Sequence, residues 1–288
     1  ENGKLAVADR ATLNYSGNIS ADNVVNNNNA AIENNGTLTL ENGALNMVVP
    51  KAEVASLSEP AEQKNRVGIL VKGDKTTNLN NFTVNADIEG TLSGGDSGTL
   101  QGTLSAKGKS RITGNVTNIN EIKVTDNGML TFGANSKIIV SGATSGTTAT
   151  TINLTDGKMG VEIGEGGKNV LMNSTGNLTF TGTYGADKSD ESNKGKVVLL
   201  TNALTENTTF NLGTHDGLKD GDIIANGDIY YNITQGNGGI WNATFNKDAL
   251  LQTTGTKYLE LGNIFANTQP IHDLLSADID LRVAQLDD

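Results

Sequence analysis

Residues 122–140 read IKVTDNGMLTFGANSKIIV. Three apolar pairs stand in this stretch: Ile122/Val124, Leu130/Phe132 and Ile138/Val140, with steps of 8 between them. One residue separates the members of each pair, which is the period of a strand with one buried face. A step of eight leaves room for a strand of four or five residues and a turn, here through Asn127-Gly128. No helix fits, so a doubly wound α/β fold is excluded for this region. The beat continues through Ile152/Leu154, Val161/Ile163, Val170/Met172 and Leu178/Phe180, after one longer step of 14. A long run of such units is the signature of a solenoid, in which each coil buries its apolar face against its neighbours. Such a stack serves as a stalk or a binding surface more readily than as a catalytic pocket.

Composition agrees. Aromatic residues make up only 4% of the 288, so the core rests on Val, Ile, Leu and small residues. Gly is abundant at 35 and Pro scarce at 3. Gly and Asn tolerate positive φ in tight turns, and Asn-Gly recurs at Asn2, Asn35, Asn42, Asn127 and Asn226. Asn also stacks in hydrogen-bonded ladders along a repeat. The formal charge is −11, from 21 Lys and Arg against 32 Asp and Glu. An acidic surface repels nucleic acid and anionic lipid, and neither is expected as a partner. There is no cysteine. No apolar run approaches 18 residues, so no helix spans or inserts into a membrane. No signal peptide opens the chain at Glu1, which reads as a mature or trimmed sequence.

The rhythm is interrupted near residues 50–66, 90–102 and 182–195 by polar stretches that read as loops inserted between coils. The step of 14 falls at 141–151. From Lys196 the strands grow more apolar, and Ile229–Thr234 (IYYNIT) and Ile240–Phe245 (IWNATF) form a hairpin pattern around the only Trp. Tyr230, Tyr231, Trp241 and Phe245 are expected to pack a folding cap. At the end, Pro270 suits a first helical position. Ile271, Leu275, Ile279, Val283 and Leu286 then follow a 3.6-residue stripe, which predicts a helix over 269–288.

Several motifs invite chemical readings, and each has a plainer one. Gly95-Asp96-Ser97-Gly98 looks like the nucleophile segment of chymotrypsin-like proteases. A triad needs a His base, and only His215 and His272 exist, both after the serine. Asp216, Asp220, Asp222 and Asp228 offer calcium-type oxygen ligands, in a spacing that fits neither the EF-hand loop nor the Gly-rich nonapeptide calcium repeat; solvated turn acids are the simpler reading. Glu162 and Glu165 suggest a carboxylate pair for glycoside cleavage, without the accompanying His and Arg of β-helical pectinases. Lys72-Gly73-Asp74 is a short tripeptide best read as a turn. The expected inventory is therefore no catalytic residues, no metal site and no cofactor.

The stretch from Lys196 to Phe245 resembles the autochaperone region of monomeric type V autotransporters. Its parts are the apolar strand Lys196–Thr201, the Gly-Asp-rich turn Gly217–Asp222, the Tyr-bearing strand Ile229–Ile233, and the Gly236-Asn237-Gly238-Gly239 turn into Ile240-Trp241. The Asn/Gly/Thr style of 1–182 is similar to large adhesins of anaerobic Gram-negative bacteria. The resemblance implies an all-β chain: a right-handed parallel β-helix over 1–195, a β-rich autochaperone cap over 196–268, and a linker helix over 269–288. With 20–25 residues per coil the first part would hold about eight or nine coils. The implied role is a cell-surface or secreted adhesin whose C-terminal part drives folding during secretion, with its own outer-membrane β-barrel and a host protein or glycan as partners. A β-helical glycan-cleaving enzyme and a glycan-binding protein like a phage tail-spike are the alternatives. Partner contact is expected on the inserted loops, above all 50–66, where Val54 and Leu57 lack strand partners and Lys64 and Arg66 add charge.

Overall fold

A computed structural model describes residues 5–22, 30–48, 67–94, 98–142, 149–163, 177–185, 194–200, 209–225 and 231–245. The chain divides into two compact units, Glu1–Thr244 and Phe245–Asp288. Of the second, only Phe245 is described, so the expected helix over 269–288 lies outside the described residues. Among these residues the fold is all-β.

The strands come in circuits. The first holds β1 (Leu5–Val7), β2 (Thr12–Ser16) and β3 (Ile19–Asp22), the second β4 (Ile32–Asn34) and the long β5 (Thr37–Val48). Then come β6 (Val67–Val71) with β7 (Thr76–Asn85), and β8 (Asp87–Gly90) with β9 (Gln101–Lys107) and β10 (Lys109–Ile112). The next two circuits are β11 (Val116–Thr117), β12 (Ile119–Val124) and β13 (Met129–Phe132), then β14 (Ile138–Ile139), β15 (Ala149–Asn153) and β16 (Lys158–Glu162). β17 (Asn177–Thr181) and β18 (Val197–Leu200) follow. The last strands are β19 (Thr209–Asn211), β20 (His215–Asp216), β21 (Ile223–Ala225), β22 (Tyr231–Gln235) and β23 (Ile240–Phe245).

Strands one circuit apart pair in parallel. A six-stranded sheet runs β1-β4-β6-β8-β11-β14, and a fourteen-stranded sheet collects the other strands up to β21, except β19. The larger sheet bends within each circuit. β5 and β7 run through the bend at Asn42 and Asn81, and later circuits break there into two strands. The beat in the sequence is therefore three strands per circuit: Ile122/Val124 before the bend, Leu130/Phe132 after it, and Ile138/Val140 in the smaller sheet. Ile122 then lies beside Ile152, one circuit on. Circuits vary more than 20–25 residues: Leu104 lies beside Ile122, 18 positions on, and Leu38 beside Thr77, 39 on. The paired stretches otherwise keep their register, with one irregularity between β6 and β8 at Val67/Ile69.

Inward residues form one continuous core from Val7 to Ala243. Both members of the pairs starting at Ile122, Leu130, Ile138, Ile152 and Leu178 are buried. In the remaining pairs, Val161 is buried, Ile163 is half-buried, and Val170/Met172 lies outside the described residues.

The bends take backbone amides out of the ladders, and such groups are costly if left unpaired. Side-chain oxygens from the preceding circuit receive them. Asn18 Oδ1 accepts from the Ala44 amide at 3.0 Å, and Asn81 Oδ1 from Lys109 at 2.9 Å. Asp87 accepts from Asn115 at 2.7 Å, Asn115 from Lys137 at 3.1 Å and Asn118 from Ser141 at 2.7 Å. The Asn-Gly pairs divide the work. In Asn42-Gly43 it is Asn42 that takes the left-handed conformation, φ 50°. Gly43 is there for proximity, because a Cβ on it would stand 1.9 Å from the Gly17 carbonyl oxygen.

Asn34 is the buried version of the same device. Fully enclosed, its Oδ1 accepts from the Gly36 amide at 3.0 Å, while Nδ2 donates to Thr76 O at 2.9 Å and Thr77 Oγ1 at 3.0 Å. Asn34→Ala should lower the unfolding free energy by about 1–3 kcal/mol, the cost of stranding buried polar groups. Exposed Asn14→Ala should stay within about 0.5 kcal/mol. Urea midpoints of the two variants check this; equal midpoints would remove Asn34 from the framework.

Candidate functional site

The last rungs converge on one aromatic knot. β20 pairs with β17 and sets His215 beside Leu178 at the end of the core. β19 and β23 pair antiparallel, and with β22 they make a three-stranded sheet that places Phe210 opposite Trp241. Trp241 is fully buried and stacks on the His215 ring, centroids 5.8 Å apart, while Phe180 meets His215 edge-on at 6.0 Å. The indole Nε1–H donates to His215 Nε2 at 3.3 Å, and His215 Nδ1 faces Gly213 O at 2.6 Å. Accepting at Nε2 leaves Nδ1 to carry the proton and donate, so both ring nitrogens are engaged. His215 is therefore a packing residue and unsuited to act as a general base.

A second buried cluster ties this end together. Lys196 Nζ donates to Gly185 O at 2.7 Å and Gly221 O at 2.6 Å. The Asp222 carboxylate is fully buried and accepts the amides of Tyr184, Gly185 and Lys219. Asp222 is thus a backbone organiser. Asp220 accepts from the Gln235 amide at 2.8 Å, Asp216 is exposed, and Asp228 lies outside the described residues. Among the described residues, no group of three or more His, Asp or Glu is placed to hold a metal ion.

Glu162 is engaged as well. Arg111 Nε and Nη2 reach its two carboxylate oxygens at 2.8 Å each. Thr131 lies beside Arg111, and Gly160 of Glu162's own strand lies beside Thr131, so the pair reaches across one intervening strand. The Arg111 hydrogen bonds hold the Glu162 carboxyl below its ordinary value of 4.5, against a smaller opposing effect of burial. In the Lys72-Gly73-Asp74 turn, Lys72 is bonded to Glu33 at 3.3 Å.

Tyr231 is half-buried and lines a groove of about 1110 Å³ with Met129, Leu200 and Ile224. Phe245 ends β23. Ser97, Glu165, Tyr230, His272 and the loop residues Val54, Leu57, Lys64 and Arg66 all lie outside the described residues. The sequence marked Trp241 but missed its partners. Lys196 opens an apolar strand, and His215 and Asp222 drew attention only as a base and a calcium ligand.

Sequence reading also missed a face. Before the bend, the outward positions of the larger sheet align circuit by circuit. The first rungs carry Thr12 and Asn14, Thr37 and Thr39, Thr76 and Asn78, then Thr103 and Ser105. Glu121 and Lys123 follow. Thr151/Asn153 and Thr179/Thr181 complete the series. Ser105 is nearly covered; the rest are half-buried or exposed. The signal was there in the recurring Thr-x-Thr and Thr-x-Asn.

Compared with family models, curated proteins and solved structures, the chain matches none.

Two predictions follow from these contacts. Truncating a buried aromatic costs roughly 3–5 kcal/mol. Trp241→Ala should lose about that much, and His215→Ala should also be destabilising; a melting curve like that of the parent chain would contradict the knot. The carboxyl of Glu162 is lowered in the folded state, so its contribution is present above the unfolded value and lost as pH falls through the folded one. Because the pair is about a third exposed, Glu162→Gln should cost at most about 1 kcal/mol at neutral pH. The gap between variant and parent should close in acid. A gap that persists there would point to lost packing in place of lost charge.

Proposed function

We propose that this chain is part of the passenger of an autotransporter: a right-handed parallel β-helix acting as a cell-surface adhesin, closed by an autochaperone cap. The observation that carries the reading is the buried aromatic knot of Trp241, His215 and Phe180 beside the last parallel rungs. The strand at Tyr231 and the Gly-Asn turn into Trp241, on which the resemblance rests, lie in a three-stranded sheet with β19, and Trp241 stacks on His215 beside the last parallel rungs. Trp241 and His215 bond to each other there, while Lys196 and Asp222 bond the backbone of the neighbouring 184–185 and 219–221 segments. A solenoid propagates from its most stable coil, and this end holds its largest fully buried side chain. On this reading, folding begins at the cap as the chain emerges at the cell surface, and the circuits add on behind it. A linker helix over 269–288 would lead to an outer-membrane barrel. Adhesion is the role, with a host protein or glycan as receptor and no catalytic step. In the enzyme alternative, Glu162 would have to act while held bidentately by Arg111.

The test is to join the chain to an autotransporter barrel in a Gram-negative host and to measure external protease sensitivity and attachment to host cells. The expected result is surface display and attachment for the parent, with display greatly reduced in Trp241→Ala. A parent chain retained in the periplasm, or equal display of the two, would overturn the reading.

A further inference from the structure

The threonine and asparagine face is a regular array at outward positions of the sheet, where strands tolerate many residues. We propose that it is a docking surface for an extended, neutral, β-linked polysaccharide lying along the stack, across the strands. The inference deepens the adhesive reading by naming the ligand class.

Three observations point to this partner. The first is the lattice. Rungs repeat every ~4.8 Å, and alternate residues within a strand lie ~6.6 Å apart. The register thus sets two parallel columns, one through Thr37, Thr76 and Thr103, the other through Thr39 and Asn78. An extended β-linked chain advances by close to one sugar ring per rung and presents hydroxyls along both edges. Each edge meets one column.

The second is chemistry and charge. Hydroxyls and amides both donate and accept, as sugar hydroxyls require. The first four rungs carry no charge in either column, and the fifth pairs Glu121 with Lys123 and so cancels. The chain as a whole carries −11. That field repels an acidic polymer and leaves a neutral one unaffected.

The third is pre-organisation. The Asn78 amide donates to Leu38 O at 3.3 Å and Thr39 Oγ1 at 3.4 Å in the rung before it. The Asn153 amide donates to Glu121 at 3.3 Å and accepts from the Thr155 backbone at 3.1 Å. These side chains are placed before a ligand arrives, which lowers the entropy lost on binding. Each rung supplies a weak contact, and avidity accumulates along the polymer.

The test measures depletion of the soluble chain by suspended cellulose and chitin, with heparin as the acidic control. The variants are Thr76→Val with Thr103→Val, which keeps shape and strand propensity, and Thr83→Val beyond the bend. Binding to at least one neutral polymer is expected, unchanged by high salt. It should weaken at least roughly tenfold in the double variant, with melting unchanged, and persist in Thr83→Val. No binding to either neutral polymer would overturn the proposal. So would equal binding by the double variant, or ice-growth inhibition without glycan binding. Failures separate cleanly. Cell attachment that survives the double substitution removes this face and keeps the adhesin. Glycan binding by a chain that its barrel never displays keeps the face and removes the adhesin.

Discussion

A stack of short parallel strands must turn several times per circuit, and each turn pulls backbone amides out of the ladder. Everything else in this chain depends on how those amides are satisfied. The answer is a set of short amide and carboxylate side chains that reach forward one circuit: Asn18, Asn81, Asp87, Asn115 and Asn118. They replace at the bends what strand pairing provides on the flat faces. Buried polar groups are tolerated only when paired, so these side chains fix where each bend falls and keep successive circuits in register.

Register has consequences at both levels of function. It aligns inward Val, Ile, Leu and Phe into one core despite circuits that differ about twofold in length. It also aligns outward residues, so that a spacing repeated along the sequence becomes a lattice in space. The Arg111–Glu162 pair shows the same logic, since residues 51 positions apart meet only because the strand between them, β13, pairs with both of theirs. At the far end the rule changes. Parallel addition gives way to an antiparallel pair, beside an aromatic stack and a buried lysine and carboxylate that bond backbone groups.

The flat parts were legible and the corners were not. Period-two apolar pairs announce strands, and their spacing excludes helices, because burial of alternate residues leaves a direct trace in composition. The beat was read as a run of equivalent units; three successive pairs are in fact three faces of one circuit, a grouping that depends on tertiary pairing. Asn-Gly marks a bend at Asn42 and a turn at Asn127, where the Asn backbone is left-handed. Its division of labour, left-handed Asn42 beside crowded Gly43, needed the neighbouring circuit to be seen. Trp241 stood out as a lone aromatic in an aromatic-poor chain. His215, Lys196 and Asp222 look like surface chemistry in one dimension, and only their own burial in the fold makes them structural.

Native-state hydrogen exchange tests the central claim most directly. The amides of Ala44, Lys109, Asn115, Lys137 and Ser141 should be protected like ladder amides, although none of these bonds lies within a strand pair. Asn118→Gly keeps the left-handed backbone available, with φ 55° at that position, while removing the side-chain acceptor. The account predicts that the Ser141 amide then loses its protection while those of Ile122 and Lys123 keep theirs. Free exchange of all five bend amides in the unsubstituted chain, or a Ser141 amide indifferent to Asn118→Gly, would contradict it.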